Sequence, residues 1–384
     1  MAVVRRARIV LAAVLVTATA VLITQPASAG AADFNGRIAF TREVNPNSSP
    51  EWQLFSVNPD GSSLTQLDPS GGMPSYSADG THIAYLDGTG VGVMNADGSN
   101  SHTLPGLQFS GFRLSWSPDG SKFLWLAPVN GLATIVVANA DGSGVTYLHT
   151  DDTAQEWNAA WSGDGSQIIY WKTDTGVNSA VWMCNPDGSN AHAVIQTSHN
   201  QGTQYASISR DGSKIAFGDW DGTGQGVFIA NSDGSDVHEI RGSATTPTFS
   251  PDGQWLAFSS TSGSHGVWIM RVDGSDAHQI TSGLDDGTIA DWQPLASAPP
   301  NLPPRAFGTA QNLRSLALLG DASASWDFDG TVVSYQWRWG DYSSPSPYEY
   351  AWHKYAKAGT YLVRLTVTDN LGARTTRQAW VKVT

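Results

Sequence analysis

Three stretches of this chain place carboxylates beside tryptophan or beside each other, in segments that read as loops. HTDDTAQEW carries Asp151, Asp152, Glu156 and Trp157; GDWDGTGQG carries Asp219, Trp220 and Asp221; GLDDGT carries Asp285 and Asp286. A fourth, QTSHNQ, adds His199. Acids beside aromatic rings suit sugar recognition, because rings stack on the apolar faces of sugars while carboxylates accept hydroxyl protons. Two carboxylates converging on a cleft would extend that to glycoside hydrolysis. A cation held by such acids would point to a lyase. The plainer reading is a set of acidic loops facing water. No G-x-S-x-G elbow, H-E-x-x-H helix or G-x-x-x-x-G-K-[ST] loop occurs, so three familiar routes to catalysis have no motif here.

The elements that must carry these loops are written as a repeat. NxDGS-type turns centre on Asp60, Asp97, Asp141, Asp187, Asp233 and Asp273, spaced 37 to 46 residues apart. Between them fall SADG at Ser77, SPDG at Ser117, SGDG at Ser162, SRDG at Ser209 and SPDG at Ser250. Asp-Gly between apolar runs signals a hairpin, since glycine takes positive φ without steric cost. The unit from Phe112 reads as four strands, FRLSWS, KFLWLA, ATIVVAN and VTYLH, and a period near ~40 residues of this kind is that of propeller blades. The turns are therefore read as structural punctuation rather than calcium loops, whose longer spacing and final bidentate Glu they lack.

Columns of the repeat sharpen the register. Three residues before each Asp of the second turn type stand Tyr76, Trp116, Trp161, Ile208 and Phe249, groups expected to pack between blades. Beside them are Ser75, Ser115, Ala160, Ser207 and Thr248, small enough for crowding around a central axis. GRIAFTR at Gly36 opens on a second strand, and TIADWQP from Thr288 is a first strand with none to follow. Pairing them closes a ring of six blades over residues 30–294 and leaves no free edge. Trp292 then joins the aromatic column and Asp291 the small one, where its carboxylate faces the channel. There it either binds a cation or ligand or caps the closing strand.

His102, His192, His238 and His278 share another column, on the outermost strand. They sit on different blades, too far apart for the ~2 Å bonds of one metal, and are expected to be solvated rim residues. Cys184 shares its column with Val57, Met94, Ala138, Ala230 and Met270, which makes it a core residue.

The WSPDG and NADGSN phrases, separated by IAF-type and VWIM-type strands, resemble the TolB-type six-bladed propeller family over residues 36–294. That resemblance implies the fold. Its members include periplasmic scaffold proteins, propeller halves of serine peptidases and sugar-acting enzymes, so function has to come from the site.

After Pro294 the composition shifts. Residues 295–304 form a Pro-rich linker, and residues 305–384 alternate as a small β-sandwich, clearest at Tyr361, Val363, Leu365 and Val367. DASASWDFDGTVVSYQWRWGD at Asp321 and HKYAKAGTYLVRLTVTDNLG at His353 resemble a PKD domain, an immunoglobulin-like module. Where that family reads WDFGDG this chain reads WRWGDY, with Arg338 in place of an acid and Tyr342 in place of glycine. Asp327, Asp329 and Asp341 are candidates for a Ca2+ ion, with turn and edge roles favoured. The resemblance implies adhesion or accessory binding outside the cell.

Arg5, Arg6 and Arg8, an apolar run from Ile9 to Ile23 and Ala27-Ser28-Ala29 spell an export signal over residues 1–29, rather than an anchor. The net charge of −13, more negative still without that leader, disfavours nucleic acid and anionic membrane as partners. The expectation is a secreted, monomeric, all-β protein: a six-bladed β-propeller and an immunoglobulin-like sandwich. It binds an extracellular protein or polysaccharide, without a cofactor unless Ca2+. The alternative is a polysaccharide lyase or hydrolase.

Overall fold

The computed structural model describes residues 34–43, 52–88, 90–104, 113–149, 154–173, 179–196, 205–220, 224–263, 265–282, 286–295, 303–313, 316–327 and 331–384. Six four-stranded antiparallel sheets form the blades, each with its strands in order from the innermost outward. Blade 1 is closed by the two ends of the propeller segment: Asp286–Leu295 is its innermost strand, followed by Phe34–Glu43, Trp52–Val57 and Thr65–Asp68. The register pairs Ile38 with Trp292 and Phe40 with Ala290. Blades 2 to 6 follow over residues 72–103, 115–147, 155–196, 206–242 and 244–279.

The middle strands show why the blades stack. Lys122–Val129 reads KFLWLAPV and is buried through five consecutive residues, Phe123 to Ala127. A strand facing solvent on one side alternates, whereas one covered on both faces is apolar throughout. Neighbouring blades supply both covers. Phe123, Trp125 and Val136 pack in one cluster with Ala84 and Val93 of blade 2. Leu124, Leu126 and Ile135 pack on the other side with Trp161, Ile168 and Cys184 of blade 4.

The turns fix both the hairpin and the spacing between blades. Asp97 Oδ1 accepts the Ser99 amide at 2.9 Å and its hydroxyl at 2.6 Å, and Asn95 Nδ2 donates to the Ser99 hydroxyl at 2.9 Å. The same set recurs at Asp141, Asp187 and Asp233. At Gly234 the backbone has φ +81°, and a Cβ would come within 2.2 Å of the Val194 carbonyl oxygen of the preceding blade. Glycine is needed there twice over, for the left-handed turn and for the close approach.

The C-terminal domain is a sandwich of two three-stranded sheets, Thr309–Leu313, Ala317–Asp321 and Tyr350–Lys354 in one, and Val332–Arg338, Gly359–Asp369 and Arg374–Val383 in the other. Its core joins Leu318, Trp337, Trp339, Tyr355, Val363, Leu365 and Val367. The Trp337 and Trp339 rings stack at 5.6 Å, and Tyr355 Oη donates to the Trp339 carbonyl at 2.9 Å.

Candidate functional site

The first strands of all six blades line a central cavity of about 160 Å³. Its wall is the small column read from the repeat, and that column performs a task. Ser75 Oγ accepts the Trp116 amide at 3.1 Å, Ser115 Oγ the Trp161 amide at 3.4 Å, and Ser207 Oγ the Phe249 amide at 3.2 Å. Three blades thus satisfy an innermost amide of the next. Asp291 does the same work, with Oδ2 accepting the Tyr76 amide at 2.7 Å. Its Oδ2 is thereby engaged in a contact between blade 1 and blade 2. Burial pushes its carboxyl up to about 6, against the Tyr76 amide and the Arg113 charge, which hold it down.

Arg113 is the channel residue that reading by motif missed. It sits three positions before Trp116, where the other blades carry Met73, Asn158, Tyr205, Thr246 and Ile289. From blade 3 its Nη1 reaches the Ala206 carbonyl of blade 5 at 2.8 Å. Asp291 is the one carboxylate among the described residues lining this cavity. Hydrolysis between two carboxylates has no second partner within that set.

The loop acids are distributed differently from the sequence expectation. Glu156 and Trp157 belong to the innermost strand of blade 4, Gln155–Trp161, and not to a loop. Glu156 is 1% exposed. Its Oε2 accepts the Ile135 amide at 2.8 Å and the Thr134 hydroxyl at 3.3 Å, and its Oε1 faces His149 Nδ1 at 2.6 Å. His149 Nε2 donates to the Gly188 carbonyl at 3.1 Å. With both ring nitrogens donating, His149 is an imidazolium. The Cys184 side chain, the Glu156 carboxylate and the Gly188 carbonyl push it up to about 10 against the effect of burial. The pair ties blade 3 to blade 4, and both Glu156 oxygens are engaged inside that contact. Trp157 packs on the blade 4–blade 5 core.

Asp219 and Trp220 likewise end a strand, Lys214–Trp220, rather than occupy a loop, and Asp219 is buried opposite Gly226. Asp286 begins the closing strand, with its backbone opposite Arg42. Asp151, Asp152, His199, Asp221, Asp285 and Asp329 lie outside the described residues. In the sandwich, Asp327 is buried, whereas Asp341 closes its own turn through the Ser343 amide and hydroxyl and meets His353 Nε2 at 2.7 Å. Among the described residues no group of three or more His, Cys, Asp or Glu converges as a metal site.

The rim column also splits. His102, His192 and His238 are exposed, as expected. His278 is covered by Trp326 of the sandwich, with ring centroids 3.8 Å apart, which corrects the reading of all four as solvated.

Among the described residues the most exposed aromatic side chains are on the sandwich, above Trp52 and Tyr147 of the propeller. Strand Tyr350–Lys354 lies at the edge of its sheet and alternates, turning Ala351 into the core and Tyr350 and Trp352 outward. Trp352 is 59% exposed, Tyr350 57% and the preceding Tyr348 67%. Leu319 is the cross-strand neighbour of Trp352.

Sequence comparison assigns this architecture. The TolB beta propeller domain matches residues 27–233, more than half of the chain. The chain belongs to the TolB β-propeller family. Its C-terminal part, residues 301–384, matches the PKD domain. The solved TolB propeller from Acinetobacter baumannii is 20% identical with a TM-score of 0.58, covering 68% of this chain and 67% of that one, a likeness of fold. Atu1656 of Agrobacterium fabrum, named as an uncharacterized protein, is 45% identical over 157 residues, 37% of this chain and 52% of that protein. Collagenase ColA of Clostridium perfringens is 44% identical over 63 residues, 16% of this chain and 6% of the collagenase. The TolB-like chain thus spans at most about half the length of these curated relatives.

Proposed function

We propose that this TolB-like protein is an exported, non-catalytic binding protein whose PKD sandwich holds an insoluble extracellular polysaccharide. The observation that carries the reading is the outward pair Tyr350 and Trp352 on an edge strand, with the exposed Tyr348 just before it. Residues two apart on a strand lie roughly 7 Å from each other, which sets two ring faces side by side for successive sugar units. The leader at residues 1–29 supports export. Burial of Glu156 and Asp219, and a cavity lining that holds a single carboxylate among the described residues, support binding over hydrolysis.

The test is retention of the full chain on chitin, cellulose and peptidoglycan, with soluble sugar assayed in the same supernatants. Fibrillar collagen joins the panel because a stretch of a collagenase is similar. We expect retention on a polysaccharide without released sugar. Tyr350→Ala with Trp352→Ala should weaken it about tenfold or more, as loss of buried aromatic anchors does. Retention on collagen alone, undiminished retention of the double variant, or released sugar would each overturn the proposal.

A further inference from the structure

We propose that the sandwich is clamped to the propeller rim through Arg305, Trp326 and His278, and that acid opens this clamp. The two domains lie in one compact unit, Ala32–Thr384. Arg305 donates through Nε, at 2.6 Å, and Nη2 to the Asp60 carbonyl in the first NxDGS turn, and lies 3.8 Å from Asp60 Oδ2. The Arg305 backbone exchanges two hydrogen bonds with Trp326, at 2.8 and 3.2 Å. One pair of residues therefore grips blade 1 with its guanidinium and blade 6 with its indole.

His278 is the sensitive part. All four rim histidines place Nδ1 on the carbonyl two residues earlier, at 2.5 to 3.0 Å. Only His278 is capped, by Trp326 on one side and by the edge of Trp255 at 6.1 Å on another. Its Nε2 is buried without a hydrogen-bond partner. That suits the neutral ring, whose Nδ1 carries the proton. A second proton would place an unsatisfied donor in the contact.

The surrounding charges do not relieve this. Arg305 approaches from the sandwich side, and Arg271 lies over Trp255 at 4.3 Å. The Asp276 carboxylate is engaged by Arg271 Nε at 3.3 Å, and Asp60 is engaged by Arg305. Burial accordingly pulls His278 below its ordinary value, against the Asp276 carbonyl and carboxylate. The docked state then binds fewer protons than the released state. Docking is at full strength above pH ~6.5 and weakens by up to about tenfold per pH unit as pH falls toward the docked value.

Small-angle X-ray scattering of the full chain at pH 7.5 and 4.5 tests this, with circular dichroism at both values to verify that the domains stay folded. Wild type should lengthen in acid. His278→Phe keeps the stack without the charge and should stay short at both values. Trp326→Ala should be long at both. A wild type of unchanged length between the two values, a His278→Phe chain that lengthens as wild type does, or a Trp326→Ala chain that stays short at pH 7.5 would each overturn the clamp.

Discussion

In the propeller, Trp116 and Trp161 stand on innermost strands with neighbouring blades against both sheet faces, and Trp125 and Trp171 are fully buried on the next strands out. In the sandwich, Trp337 and Trp339 are equally buried, but Tyr350, Trp352 and Trp380 stand in solvent on the outer faces of their sheets. Both domains are built from twisted antiparallel strands with similar residues. They differ in how many faces of each sheet are covered. The inner strands of a blade are covered twice, so their alternate residues are largely committed to packing, and exposure is left to the outermost strands. A sandwich sheet is covered once, and every second residue remains free to meet a partner. Recognition chemistry can therefore be written into the sandwich strands at little structural cost, whereas the propeller strands spend their chemistry on closure.

The sharpest way to break this contrast is at the blade 3–blade 4 pair. Glu156→Gln leaves the His149 imidazolium without its carboxylate, and should lower the unfolding free energy of the propeller by about 3 kcal/mol in denaturant titration. Retention on the matrix by the molecules that remain folded should not change. His149 has a raised folded value, so its contribution to stability is fully present below about pH 6.5 and is lost as pH rises through about 10. The variant should lack that alkaline loss.

A smaller effect of the opposite sign is expected in the channel. Asp291 takes the role that Ser75, Ser115 and Ser207 fill in other blades, at the expense of holding a carboxylate in the channel lining. Its folded value of about 6 lies above the ordinary 3.8, so the folded state gains protons and stability falls as pH rises from about 4 to 6. Asp291→Ser keeps an acceptor for the Tyr76 amide and should remove that slope. It should also stabilise the protein by roughly 1 kcal/mol at pH 7.5. A thermal midpoint at neutral pH that falls instead would mean that the charge of Asp291, and not only its oxygen, serves closure.

The smallest expected change is in the sandwich. Tyr342 adopts φ +65° with its ring wholly in solvent, at the position where glycine stands in the PKD pattern. Tyr342→Gly should stabilise the domain by about 0.5 kcal/mol through relief of the left-handed backbone. If that variant also loses retention on the matrix, Tyr342 belongs with Tyr350 and Trp352 in the contact face.

Much of this was legible in the letters. The columns headed by Tyr76 and Ser75 anticipated the inter-blade aromatic residues and the small residues that face the axis, but not that the serines accept amides of the next blade. The phrase YAWHK places Tyr350 and Trp352 two apart, which is the mark of one strand face. The acids were harder. HTDDTAQEW contains both His149 and Glu156, but loop composition concealed that the second half is a strand and that the two side chains meet. Arg113 had a signal of its own, as a guanidinium in a column that otherwise holds Met73, Asn158, Tyr205, Thr246 and Ile289.

Sequence alone determined the number of blades, their closure and the form of each turn. The interactions behind them are local or repeated, as when Asp97 bonds Ser99 two residues away and the pattern returns in other blades. Tertiary structure alone decided which polar groups are free. Tyr76 and Asp291 are 215 residues apart, and Arg305 and Asp60 are 245 apart, yet they are direct partners. A side chain's exposure and charge depend on such distant neighbours. For that reason one rim histidine is capped and three are open, though their local sequences are nearly the same.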